Sequence, residues 1–176
     1  MVEGIIKIEQ GLSSVLFIIV GIINIYLKCP IEFCILNIIL GFCSFLNHSI
    51  QERTLTGSIP IKLNAYKIYR WLDATIIFII CLYIFTKRVD ISIILSYIFF
   101  NYFYPFVHIM FIFLIILYFY RNLHFKYLFL FYNLLAGYVF IYSKSDVWLG
   151  DIRWIWHICV ASCLLMTGYN LSLRKL

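Results

Sequence analysis

Six residues have the types and spacing to form a chemical site together: Ser44, His48, Asp73, His108, Arg153 and His157. Ser44 and His48 are four residues apart, as are Arg153 and His157, so on helices each pair shares a face. Two such faces and one carboxylate enclose a small polar pocket. All six residues lie in or at the edges of apolar runs, where an ionisable group is expensive and by default marks a substrate path, proton relay or ligand site. Taken singly, each also has a plain structural reading. A histidine at the end of an apolar run anchors at an interface, Asp73 and Arg70 could form a local pair one turn apart, and His108 suits a packing or hydrogen-bonding role. His124 falls in a short polar loop and needs no function.

The elements that must position these groups follow from composition. The 176 residues are 64% hydrophobic, 20% aromatic and only 12% charged, with a mean hydropathy of +0.98. Soluble domains carry about twice that charge, and disordered chains are poor in apolar and aromatic residues. A water-soluble globule and a disordered chain are both excluded, which leaves a single domain whose solvent is lipid. The net charge of +6 needs no nucleic acid to explain it, because membrane proteins carry Lys and Arg in their cytoplasmic loops. Cys29, Cys34, Cys43, Cys81, Cys159 and Cys163 form no CxxC pair and read as small buried hydrophobes. Glu3, Lys7 and Glu9 near the start, with no A-x-A site after the first apolar run, argue against a cleaved leader.

Apolar segments long enough to approach a bilayer crossing fall at about 11–27, 30–48, 69–86, 125–142 and 152–171. Pro30 suits the first turn of the second. Ser49 to Lys67 reads as the one long polar loop, punctuated by Gly57 and Pro60. The run 91–120 is too long for one span, and Asn101 and Pro105 divide it into 91–104 and 105–120. The expectation is an all-α membrane protein, a seven-helix transmembrane bundle. Seven crossings bring all six site residues, and Trp71, Trp148, Trp154 and Trp156, to the N-terminal face. Lys28, Lys87, Arg88, Arg121, Lys126, Arg174 and Lys175 lie on the other face. Opposite them are Lys7, Arg53, Lys62, Lys67, Arg70 and Lys144, one fewer, and the slight excess on the C-terminal face places the C-terminus in the cytoplasm and the N-terminus on the exoplasmic or lumenal side.

Three segments then resemble the motifs of a known family. Gly41-Phe-Cys-Ser-Phe-Leu-Asn-His48 is similar to an SxxxH element, Tyr69-Arg-Trp-Leu-Asp73 supplies an aspartate at the start of the third span, and Arg153-Trp-Ile-Trp-His157 resembles an HxxxH element in the seventh. Together, in this order, they resemble the seven-helix superfamily of alkaline ceramidases, adiponectin/progestin receptors, haemolysin III-like proteins and the myomaker/post-GPI-attachment lipase branch. The last of these is the most alike. The resemblance implies a zinc ion held by the span-two and span-seven histidines, with His48 and His157 among the ligands. It also implies metal-activated water attacking an amide or ester carbonyl, with Asp73 taking the proton and Ser44 supporting the reacting oxygen.

Arg153 stands where that pattern has its first HxxxH histidine, and arginine has no lone pair to offer a metal. Two histidines are fewer than the three protein ligands usual at catalytic zinc. The expectation is therefore a site without a resident cofactor, in which Arg153 pairs with Asp73 and the protein binds membrane lipid, acts as a receptor or remodels membrane. The alternative is an active zinc-dependent lipid amidase or esterase in which His108 or Asp151 completes the ligand set. Membrane lipid is the expected partner and nucleic acid is not. Cysteine-accessibility mapping is expected to place positions 1–8 and 172–176 on opposite sides of a membrane. Both termini on one side would mean an even number of crossings and would remove the shared-face argument.

Overall fold

The computed structural model of the chain describes residues 12–49, 60–103, 126–142 and 153–173. A 3-10 turn, Leu12–Ser14, leads into α1 (Val15–Tyr26). It is followed by α2 (Ile31–Ser49), α3 (Pro60–Thr86), α4 (Val89–Phe103), α5 (Lys126–Tyr142) and α6 (Arg153–Leu173). The fold class is all-α, with no strand among the described residues. The expected element at 105–120 lies outside the described residues.

Runs of Ile and Val such as α1 are mediocre helix formers alone, so packing must decide. Helix α1 lies against α2 and α6, α2 against α3, α3 against α4, and α5 against α6. Phe17, Phe33, Leu40 and Ile80 are fully buried at the centre. The Phe33 and Tyr83 rings stack with centroids 6.5 Å apart, and the Tyr83 hydroxyl donates to Glu32 at 3.3 Å.

Helix α2 is apolar on its outer face as well as its inner one, where Phe33, Leu36 and Leu40 are buried beside polar groups. Ile31, Ile35, Ile39, Phe42 and Leu46 recur at helical spacing and are exposed, while Asn37, Ser44 and Asn47 are buried. Helix α4 repeats the arrangement, with Ile93, Ile94 and Tyr97 outside and Ser92 and Ser96 inside. Among the described residues one helical segment, Trp154–Leu173, is long and apolar enough to cross a membrane by length and composition; Leu12–Tyr26, Ile31–Asn47 and Trp71–Thr86 are apolar but shorter.

Helix α3 corrects one boundary. Ser49 to Lys67 reads as a loop in the sequence, but Ser49 ends α2 and α3 begins at Pro60. Proline at a first helical position lacks only an N–H that would be unpaired there, so Pro60 opens the helix instead of punctuating a loop.

Two helices end on a lysine in the left-handed region: Lys28 at φ 57° and Lys87 at φ 56°. After α1 the Lys28 N–H donates to the Ile25 carbonyl at 2.9 Å and the Cys29 N–H to the Asn24 carbonyl at 3.0 Å. That is the Schellman arrangement, usually built with glycine.

Helices α1 and α6 meet closely at Gly168. Its carbonyl accepts the Cys29 thiol at 3.0 Å, and a Cβ added there would collide with the Asn24 side-chain amide. On an exposed helix Gly→Ala would stabilise by about 1 kcal/mol. Here Gly168→Ala is expected to destabilise by about 1–3 kcal/mol through overpacking, read as a lower thermal midpoint in mild detergent. An unchanged or raised midpoint would mean that α1 and α6 do not approach this closely.

Candidate functional site

The site is built where the start of α1 and the start of α6 meet the end of α2 and the body of α3. Gly41 makes the first approach possible, since a Cβ there would collide with the Ile18 side chain and fall 3.2 Å from the Ser14 carbonyl oxygen. One turn further along α2, Ser44 receives the Ser14 hydroxyl at 3.1 Å. Ser14 sits at the position from which a serine ordinarily caps its helix, yet it makes no side-chain cap bond. A cap is worth about 1 kcal/mol, and here the hydroxyl is directed into the bundle instead.

His157, one turn into α6, is fully buried. Its Nδ1 lies 2.6 Å from the Ser13 hydroxyl, and its Nε2 makes a long 3.5 Å contact with Ser44 Oγ. The rings of Phe17 and Trp156 pack edge-on against it, with centroids 5.3 Å and 5.2 Å away. The imidazole is thus held at one nitrogen and clamped by two aromatics, so that its other nitrogen faces Ser44.

Asp73 is buried on α3 and accepts the Asn47 side-chain amide at 2.8 Å. Ser44, one turn before Asn47 on the same face of α2, lies beside it. Ser13, Ser14, Ser44, Asn47, Asp73 and His157 therefore form one connected polar cluster drawn from a turn and three helices.

Among the residues expected from sequence, Ser44, Asp73 and His157 come together here. His48 belongs to α2 and Arg153 opens α6, but their side chains lie outside the described residues. His108 and Asp151 lie outside them altogether. Sequence reasoning missed Ser13, Ser14 and Asn47. A serine pair before an apolar run reads as a helix cap, which conceals its role. Asn47 was more legible, because it stands three residues after Ser44 and so shares its face.

The donor set bears on metal binding. Among the described residues no three His, Cys, Asp or Glu side chains converge as ligands. The cluster offers one imidazole and one carboxylate among hydroxyls and an amide. Zinc takes thiolate, imidazole or carboxylate, usually three or four from the protein; the described side chains supply two such groups, Asp73 and His157, and that of His48 lies outside them.

Comparison with protein-family models, curated proteins and solved structures finds no match.

Asn47→Ala removes a hydrogen bond to a buried carboxylate. The expected loss is about 1.5–3 kcal/mol of stability, measured by denaturant titration in detergent. Asn47→Asp, which sets a second carboxylate against Asp73, is expected to be worse. Equal stability of both variants and the parent would show that Asn47 does not hold Asp73.

Proposed function

We propose that the chain is a multi-pass membrane protein whose polar cluster receives the headgroup region of a membrane lipid, with binding and not hydrolysis as its role. The observation that carries this reading is an apolar outer surface around a buried polar cluster. Buried Ser44, Asn47, Asp73 and His157 lie inside helices whose outer stripes are Ile, Leu and Phe. Water would penalise that surface, whereas hydrocarbon accepts it and forces inward polar groups to satisfy one another. The shorter apolar helices reach about 25 Å, which matches a thin bilayer or a locally thinned one.

A seven-helix bundle with its N-terminus exoplasmic and its C-terminus cytoplasmic is part of the same proposal. So is kinship with the ceramidase, progestin-receptor and myomaker-like superfamily, on the strength of Ser44, His48, Asp73 and His157. Within it, Arg153 takes the place of a metal ligand and its guanidinium joins Asn47 on Asp73, since an ionised carboxylate accepts several donors. A lipid offers a carbonyl, amide or hydroxyl to the same cluster, and no bond need break.

The deciding experiment is metal analysis of the protein purified in mild detergent. The parent is expected to carry no stoichiometric zinc, and Arg153→His is expected to acquire it. Arg153→Ala should cost about 3–5 kcal/mol by leaving a buried charge uncompensated, and Asp73→Asn in the same chain should recover part of that loss. One mole of tightly bound zinc per mole of parent protein would overturn the reading in favour of an active lipid amidase or esterase.

A further inference from the structure

Two turns from the cluster, toward the Lys28 corner, lies a second polar layer that the lipid-binding reading does not use. Asn37 stands seven residues before Ser44 on α2, and Asn24 stands seven after Phe17 on α1, so each continues a stripe that faces the cluster two turns away. Both side chains are wholly buried. The two helices touch beside them. At Gly21, one turn before Asn24, an added Cβ would fall 2.9 Å from the Cys34 carbonyl oxygen and 3.2 Å from the Ile38 nitrogen, and these two residues bracket Asn37.

Each amide is satisfied at one end only. Asn37 Nδ2 donates to the Phe33 carbonyl of its own helix at 2.9 Å, and its Oδ1 has no hydrogen-bond partner among the described residues. Turning this amide over would set its oxygen against the Phe33 carbonyl oxygen, so the orphan is the acceptor end. The Asn24 amide lies against Gly168 of α6. Its Oδ1 receives the Cys29 thiol at 3.8 Å, and its Nδ2 has no partner among the described residues. One donor and one acceptor are left over beside the same helix crossing, in an apolar interior where a bare polar group is costly. Neither bears a charge, and one repels whatever ion the other would attract. A neutral molecule that accepts one hydrogen bond and donates another serves both, and the complete burial of the two amides selects the smallest such molecule, water.

We propose that Asn24 and Asn37 hold one structural water, which accepts from Asn24 Nδ2, donates to Asn37 Oδ1 and so fastens α1 to α2 in the middle of the bundle. Gly21 brings the two amides into bridging range, and Gly168 supports the Asn24 amide from α6. The bridge is independent of what the cluster binds.

The test is proton-detected solid-state NMR of the full chain in lipid bilayers, uniformly labelled with 13C and 15N so that the two amides are assigned through their backbones. Transfer of magnetisation from water to the Asn24 Nδ2 protons is expected in the parent, and Asn37→Leu, which removes the acceptor, should weaken it several-fold. Asn24→Leu and Asn37→Leu, both close in shape to asparagine, should each lower the thermal midpoint by stranding the other amide. The double variant, with neither amide, should melt above the weaker single one. A resolved Asn24 amide with no transfer from water would overturn the proposal. So would a direct contact between Asn24 Nδ2 and the Asn37 side-chain carbonyl, a transfer unchanged in Asn37→Leu, or losses that simply add in the double variant. If the variants do not fold, the parent spectrum decides between a bridging water, a direct amide pair and a dry site.

Discussion

Polar side chains pointing inward from helices that are apolar on the outside have no solvent to fall back on. Each must find its partner within the bundle, and that requirement organises the rest of the molecule. The Asn47 bond to Asp73 joins α2 to α3 at 2.8 Å, the Ser14 bond to Ser44 joins the start of α1 to α2, and the Ser13 bond to His157 joins the same turn to α6. Close backbone approach at Gly41 makes the second of these contacts possible. The cluster is at once a set of cross-links between helices and the only chemically rich place among the described residues. A change there will therefore affect folding and binding together, and separating the two needs readouts that report on the ring itself.

The helices were largely legible from apolar run length, because such runs can hide their backbone polar groups only as helices. The boundary of α3 was not, because Pro60 has the same identity whether it breaks a chain or opens a helix, and only its neighbours decide. The site was legible where an ionisable group stood in an apolar run, as with Asp73 and His157. It was not legible where the partner was a small neutral hydroxyl. Ser13 and Ser14 cost little in any apolar segment, so their presence carries little information until the fold brings α6 beside them. Asn24, Asn37 and Thr167 are likewise buried, and their spacing alone did not set them apart from helix filler.

The local rules broken in this chain cluster around the same need. Ser14 stands at a cap position without capping, and Gly168 gives up helix propensity so that α6 can touch Asn24. In each case a small local preference yields to a contact between distant helices. A packed interior of this kind responds to one added carbon about as strongly as to a lost hydrogen bond.

Lys28 and Lys87 carry a different consequence. Each turns a helix end in a backbone conformation that glycine would adopt more cheaply, and each places a cation where the helix dipole favours one. On the topology proposed for the chain, both lie at the corners of helical hairpins, α1 with α2 and α3 with α4, on the cytoplasmic side. Such a hairpin can enter a bilayer as a unit, both helices together, while the charged corner stays behind. The same residue then acts as hinge pin and as ballast during biogenesis. Replacing either lysine by glycine would keep the corner and remove the ballast, separating the shape of the hairpin from the direction in which it is inserted.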